Sequence, residues 1–518
     1  MSLNALESSQ QTLLVLLPEL ILLATATVMM TAGVFVRVPR RVWAGVSTVA
    51  LFVSFVVLVL LIGKSTDALQ SPVLNDALSV TGRLLFALSG FVILGLAHDQ
   101  VDDARAPEFF GSLLFIHAGA MLTAGANELV FLFIGLELVS IPTYLLLYLS
   151  KRNNASLEAS TKYFFLSIFA SGLLLFGMAY LYGLAGVSNL KALSALLTLP
   201  NLPDVRFALI ATLFIVAGLG FRVAAVPFHF YAPDVYQGSP TLLAGLLAWL
   251  PKGVGFFAML RLLTGVLAAT TPTTSLDNAI AITWIISAIT MTLGNTVALS
   301  QNNLKRLFAY SSIAHAGYLM IGIVVSFRNA SSVSALTLGA EGLIYYLSAY
   351  AFMTLGVFGV ILALNTGDRA VETVDDLSGL RQSHPWLALA MAICLFSLAG
   401  IPPLAGFVGK FQLFTAAFSA ARDEDGRLFR ALAIIGAVNS AIGAYYYLRI
   451  IVGMYLKRPI GSRLETRIAW PTSAAIAVCT IVTILLGLFA NPMLTASRVA
   501  AESVVKQAIP TTPAVASR

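Results

Sequence analysis

Long apolar runs, parted by short charged loops, set the pattern of this chain. With windows of about 20 residues, the length a helix needs to cross hydrocarbon, about fourteen spans are predicted. They fall near 12–36, 42–63, 78–98, 109–125, 127–150, 161–184, 205–228, 240–263, 277–300, 305–327, 335–364, 386–417, 430–456 and 469–491. In lipid, a single spanning segment must satisfy its own backbone, which a helix does. The fold class expected is an all-α polytopic membrane bundle, with no room in the loops for a soluble domain of any size.

Two of these runs are built to break. "FRVAAVPFHFYAPDVYQGSP" (221–240) carries Pro227 and Pro233, and "LAGIPPLAGFVGKFQLF" (398–414) carries Gly400, Pro402, Pro403 and Gly406. Proline removes a backbone donor and clashes with the preceding turn, so the helix must kink or open. In lipid, the freed groups are tolerated only inside protein or beside a wet cavity. The breaks fall in spans seven and twelve, five apart. That spacing points to two inverted five-helix repeats, spans 4–8 and 9–13; ordinary packing kinks are the plainer alternative. The organisation expected is three helices in 1–105, repeats in 106–265 and 275–457, and a last helix with a C-terminal tail in 458–518.

Composition agrees with the pattern. The chain is 58% hydrophobic and 11% charged, against about 25% charged in soluble domains, and its mean hydropathy is +0.88. The N-terminus lacks the basic n-region of a signal peptide, and the first run is long enough to span. The net charge of +7 does not indicate nucleic acid, because the basic residues sit in loops beside spans. Cys394 and Cys479 lie in apolar runs, too few for a disulfide framework or a thiolate-held cluster. The five histidines do not form the pairs a membrane haem needs.

The loops suggest an orientation. "RVPRR" (37–41), "KRNN" (151–154), "LKR" (304–306) and "LKRPIGSRLETR" (456–467) fall on one side under a fourteen-span count. That side is expected to be cytoplasmic, with both termini outside. "HDQVDDARAPE" (98–108) and "RDEDGRLFR" (422–430) run against the bias.

Charges at bilayer depth are the candidate chemistry, since each costs about 2.5–3.5 kcal/mol on insertion scales and needs a partner or a purpose. Glu137 lies near mid-depth, with Ser140 and Tyr144 on its face as candidate donors; a neutral structural acid is the alternative. Lys252, between Pro251 and Gly253, is too central to reach either interface. Burial disfavours an ammonium, so a buried lysine can pass a proton on. Lys410 follows the second break, with snorkelling as its plainer reading. Arg222 keeps its proton, so it can hold Glu137 ionised but not carry the proton itself. His229, beside Tyr231 and Asp234, and His315, flanked by Ser311, Ser312 and Tyr318, are candidate relays. Lys305 and Arg306 read first as topology anchors. Glu19, Asp76, Glu108 and Glu341 lie near span ends, where a solvated carboxylate is expected. The string of buried acids and bases, with no phosphate loop, metal-ligand spacing or nucleophile triad, reads as a proton pathway.

"GLELVSIPTYLLLYLSKRNNASLEASTKYFFLSIFASGLLLFGMAYLYG" (135–183), "FRVAAVPFHFYAPDVYQGSPTLLAGLLAWLPK" (221–252), "NNLKRLFAYSSIAHAGYLMIG" (302–322) and "GIPPLAGFVGKFQLF" (400–414) resemble the antiporter-like membrane subunits of respiratory complex I. Within that group, "APDVYQGSP" and the lysine directly after proline are similar to the subunit N family of NADH-quinone oxidoreductases. The resemblance covers essentially the whole chain. It implies fourteen helices, two inverted five-helix repeats and an axis of one glutamate and three lysines. Glu137, Lys252 and Lys410 match that axis; Arg222 stands where lysine is usual, and Gln237 where glutamate is common. It further implies proton translocation in a bacterial inner membrane, with NADH, FMN, iron–sulfur clusters and quinone on partner subunits and no cofactor on this chain. The partners implied are other complex I membrane subunits, such as M and K, together with lipids. A cation/proton antiporter or membrane-hydrogenase subunit of the same fold, and a non-pumping structural spacer, remain the rival readings.

Overall fold

The computed structural model of the chain describes residues 3–149, 154–197, 205–267, 274–327, 333–365, 371–420, 426–459 and 468–508. The loop residues 151–153, 422–425 and 460–467, on which much of the expected orientation rests, lie outside them. The described residues are nearly all helical, with isolated backbone bridges but no strand among them.

The first apolar run divides into α1 (Leu3–Val15) and α2 (Leu17–Phe35), not one span from residue 12. Pro18 sits in the first turn of α2, where its missing N–H costs nothing. α3 (Arg40–Leu60), α4 (Ala77–Ala97), α5 (Ala106–Gly125), α6 (Leu129–Leu149) and α7 (Asn154–Ala185) follow as continuous crossings. A short α8 (Leu190–Leu197) precedes α9 (Val205–Val223), and α10 (Ala232–Gly238) leads into α11 (Thr241–Met259), which runs on as a π-helix, Leu260–Leu267. The second half holds α12 (Thr274–Leu299), α13 (Leu304–Phe327), α14 (Val333–Leu364), α15 (Leu380–Ser383), α16 (Pro385–Ala399), α17 (Ala405–Ser419), α18 (Arg427–Leu456) and α19 (Trp470–Leu488). The stretch expected as a tail contains a further helix, α20 (Asn491–Ala508), packed against α4 and α14.

Among the described residues, twelve helices are long and apolar enough to cross a bilayer. The expected seventh and twelfth spans are not among them, because each ends early: α9 stops at Val223 and α16 at Ala399. Prolines 227, 402 and 403 follow those ends, as the missing donors require. The freed backbone finds partners inside the protein. Tyr231 donates to the Phe221 carbonyl at 3.0 Å, and the Val226 N–H reaches Thr290 Oγ1 at 2.9 Å. At the second break, Gly400 takes a left-handed φ of 88°, which glycine adopts without Cβ strain.

α11 is the axis of the bundle. Every residue from Thr241 to Met259 is buried, and the helix touches α4, α5, α6, α9, α13 and α14. The lysine it carries therefore has protein on all sides.

One backbone device occurs twice. Leu129 N–H donates to Ser188 O and Leu190 N–H to Asn127 O, which pins the start of α6 to the segment entering α8. Leu304 N–H donates to Glu372 O and Val374 N–H to Asn302 O, which pins the start of α13 in the same way.

Candidate functional site

The first group forms where α6, α7 and α9 meet. Arg222, one residue from the end of α9, donates through Nη2 to Glu137 Oε1 at 2.6 Å. Its Nη1 donates to Leu136 O at 3.0 Å and Ser140 Oγ at 2.5 Å. Ser171 of α7 donates to Glu137 Oε1 at 2.6 Å. This corrects the expected donors. Ser140 spends its proton on the Leu136 carbonyl and Tyr144 on Ser167, so neither serves the carboxylate. A pattern along one helix finds residues on the same face; a hydroxyl from the neighbouring helix leaves no such trace. Arg222 is 7% and Glu137 19% exposed, so the pair is largely withdrawn from solvent.

Lys252 stands at the middle of α11, 1% exposed. No hydrogen bond or ion pair to its amine is found among the described residues, and it reaches neither face of the bundle. Three residues on, a Cβ at Gly255 would meet Val223 Cγ1 at 2.7 Å and Arg222 Cβ at 3.4 Å. Because residues three apart share a helix face, the lysine side of α11 packs directly on the helix that carries Arg222.

His315 of α13 is 1% exposed and held at both ring nitrogens: Nδ1 by Tyr346 OH at 2.6 Å and Nε2 by Tyr447 OH at 2.9 Å. Tyr447 in turn bonds Ser311. The ring also lies against Tyr318 and Tyr350, and Tyr350 donates to Ser312, within 3.4 Å of Tyr236 OH. The helix that carries His315 packs against both α11 and α17, the helices of Lys252 and Lys410. This tyrosine cage was missed because a phenol carries no charge to mark it in an apolar span. The only trace was tyrosine density in "LIYYLSAY" and "AYYYL".

Lys410 does not snorkel. It is 5% exposed, and its amine turns back to the break, donating to Leu398 O at 3.0 Å, Ala399 O at 3.1 Å and Ser440 Oγ at 3.1 Å. It also lies 4.9 Å from the Tyr318 ring centroid. The two carbonyls end α16, the pole of a helix that favours a cation. Glycine leaves room beside it, since a Cβ at Gly400 would come within 3.1 Å of Lys410 Cδ and push on the lysine stem.

The remaining candidates stand apart. Lys305 donates to Ser239 O at 2.7 Å. Arg306 bonds Asp234 at 2.7 Å and Gln237 at 3.0 Å, and Lys162 reaches the same aspartate at 2.8 Å. Burial pushes the Asp234 carboxyl up, but hydrogen bonds from Lys162 and Arg306 outweigh it and hold the group below the ordinary range. His229 stays half-buried in the loop after the first break and bonds none of the other candidates.

The expected solvated carboxylates need correction as well. Glu19 is 2% exposed and lies 2.8 Å from Arg83, itself fully buried. Glu341 is equally buried and meets Arg498 of α20 at 3.1 Å. Asp76 pairs with Arg261 at 2.6 Å, in the π-helix that continues from the Lys252 helix. Arg83 and Arg261 were legible as arginines inside apolar runs, the same signal that marked Glu137 and Lys252. No group of three or more His, Cys, Asp or Glu able to hold a metal ion occurs among the described residues.

Residues 126–424 match the family model described as NADH:quinone oxidoreductase/Mrp antiporter, TM. NADH-quinone oxidoreductase subunit N 2 of Roseiflexus castenholzii is 36% identical, over 91% of this chain and 93% of its own length. Subunit N of Anaeromyxobacter sp. (strain Fw109-5) is 40% identical over 74% of this chain and 76% of its own. Among solved structures, a chain of respiratory complex I from Thermus thermophilus with bound Aureothin superposes with a TM-score of 0.75 at 30% identity, covering 92% of this chain and 99% of that one. A chain of the Mrp complex from Dietzia sp. DQ12-45-1b shares the fold, with a TM-score of 0.80 at 21% identity. Helical architecture, matched family and relatives agree: the chain is a multi-pass membrane protein that belongs to the antiporter-like family of NADH-quinone oxidoreductase subunit N.

Proposed function

We propose that this chain translocates protons as a membrane subunit of a bacterial NADH:quinone oxidoreductase. The redox chemistry of NADH, FMN, iron–sulfur clusters and quinone takes place on partner subunits, and the chain sits in the inner membrane beside antiporter-like subunit M and small subunits such as K. Both termini face outward. The reading rests on one observation above all: Lys252 lies 1% exposed at mid-helix, with no anion against its amine among the described residues. An amine so enclosed can take up and hand on a proton inside the bundle, which a guanidinium cannot.

Lys252 is the central donor and acceptor, and His315 with its tyrosines carries the proton towards Lys410. The Lys410 contacts suit both protonation states. As an ammonium it donates three hydrogen bonds; as a neutral amine it still donates to Leu398 O and Ala399 O and accepts from Ser440. Arg222 stays charged, and its pair with Glu137 acts as a fixed electrostatic element beside Lys252. The twin backbone pins at α6 and α13 support two repeats, in 106–265 and 275–457. Lys305 and His229 lie at the ends of the route, as entry groups.

The test is Lys252→Met in the assembled enzyme, which is expected to cut proton pumping while the peripheral NADH site keeps its activity with artificial acceptors. Full pumping by that variant would falsify the assignment. The Arg222–Glu137 ion pair favours one rival, a non-pumping spacer. Normal pumping after neutralising Glu137, Lys252 and Lys410 together supports that rival.

A further inference from the structure

Away from the polar axis, α3 and α19 both pack on α4, and between them runs a trough of about 880 Å³. One end is ringed by Arg41, which opens α3, His98, which follows α4, and Trp470, which opens α19. Gly95 and Pro471 hold those ends level, since a Cβ on Gly95 would sit 3.2 Å from the Pro471 carbonyl. Below that rim the lining is mostly aliphatic and aromatic, with Thr48, Thr81 and Ser348 as its hydroxyl groups. The stretch from Trp470 to Leu486 is about 24 Å of helix at 1.5 Å per residue, most of a hydrocarbon layer about 30 Å thick.

The rim carries an uncommitted cation. Arg40 is taken up by Asp99 at 3.1 Å and by the Val101 carbonyl, and its N–H by Asp103. His98 Nδ1 lies 3.3 Å from the same Asp99. Arg41 has no acidic partner and no hydrogen bond among the described residues. An arginine at the end of a span can pair with a lipid phosphate, and tryptophan is enriched at the headgroup level.

The lining suits hydrocarbon chains, and the unpaired guanidinium at one end suits an anionic headgroup. Midway along the wall, a Cβ on Gly45 meets nothing within 4 Å.

We propose that this trough binds one anionic phospholipid, with its phosphate at Arg41 and its acyl chains lying past Gly45 between α3 and α19. A polyisoprenoid or other neutral lipid fills the apolar part but leaves Arg41 unmatched.

The test uses the whole complex, purified in mild detergent, with bound phospholipid extracted and counted by mass spectrometry. Gly45→Leu fills the trough without meeting protein, and Arg41→Gln removes the charge at the rim. Each is expected to lose one phospholipid per complex at unchanged NADH oxidation. Delipidated parent complex is expected to recover it from phosphatidylglycerol vesicles and not from phosphatidylcholine vesicles with the same chains. An unchanged lipid count in both variants overturns the site. Loss in Gly45→Leu with full retention in Arg41→Gln overturns the anionic headgroup. A photo-crosslinker at position 45 that captures a protein chain shows a partner subunit there and overturns the proposal.

Discussion

The two broken helices solve the same backbone problem and hold their cations in opposite ways. Arg222 comes just before its break and is neutralised by a carboxylate, Glu137, with Ser140 and Ser171 completing the set. Lys410 comes just after its break and meets no carboxylate among the described residues; the two carbonyls that end α16 and one hydroxyl hold it. The first site is built for a charge that never leaves, since a guanidinium keeps its proton. The second is built from neutral dipoles, which favour an ammonium without pinning it by an opposite charge. On the proposed function, charge is stored at the first break and transferred at the second.

The sharpest way to break that contrast is Lys410→Arg. It keeps the positive charge and the donors but cannot release a proton, so pumping in proteoliposomes is expected to fall as far as in Lys410→Met. Pumping near the parent level would place Lys410 with Arg222 as a fixed charge.

The converse exchange sharpens the first site. Arg222→Met leaves Glu137 with only the Ser171 hydroxyl and no opposite charge, and breaking such a buried pair costs about 3–5 kcal/mol, read as a lowered thermal midpoint or lost assembly of the complex. Arg222→Lys keeps the ion pair and gives up hydrogen bonds worth about 1 kcal/mol each. Its pumping is expected to match the parent. A complete loss of pumping in Arg222→Lys would mean that the fork of the guanidinium, and not its charge, is what the site uses.

Gly400→Ala tests the backbone that presents those carbonyls. An alanine at φ 88° costs about 1–2 kcal/mol and crowds the Lys410 stem, so pumping is expected to fall several-fold while the complex still assembles. The smallest effect belongs to the ring of charges outside the axis. Asp234→Asn releases Lys162 and Arg306, and only a slight fall in thermal midpoint is expected. Its sign with pH is fixed. The Asp234 carboxyl is held below its ordinary value, so its contribution is complete above about pH 4, the ordinary carboxyl value. It disappears only as pH falls through the lowered value. Parent and variant should therefore differ equally at pH 6 and pH 8, and a difference growing across that window would point to another group.

Much of the site was legible in the chain. Glu137, Arg222, Lys252 and Lys410 stood out because hydrocarbon makes any charge conspicuous, and the prolines marked both breaks because their missing donors forbid an unbroken helix. Partners were harder to read. Ser171, Tyr346, Tyr447 and Ser440 are neutral groups on other helices, and nothing in their local sequence says which charge they face. Glu19 and Glu341 were misread for a related reason. Their partners, Arg83 and Arg498, lie far away in the chain, and the second sits on a helix, α20, too polar to read as a span.

The sequence by itself determined that this protein lives in lipid as a helical bundle, where its helices open, and which few residues bring charge into the interior. Each of those follows from local chemistry: apolar length, a missing N–H, an ionisable group among aliphatic neighbours. Only the tertiary structure decided that Lys252 is enclosed with no counter-ion among the described residues, that Lys410 turns back to the carbonyls of its own broken helix, and that tyrosines of α13, α14 and α18 cage His315. Those properties belong to distances between helices remote in the chain, and packing alone sets such distances.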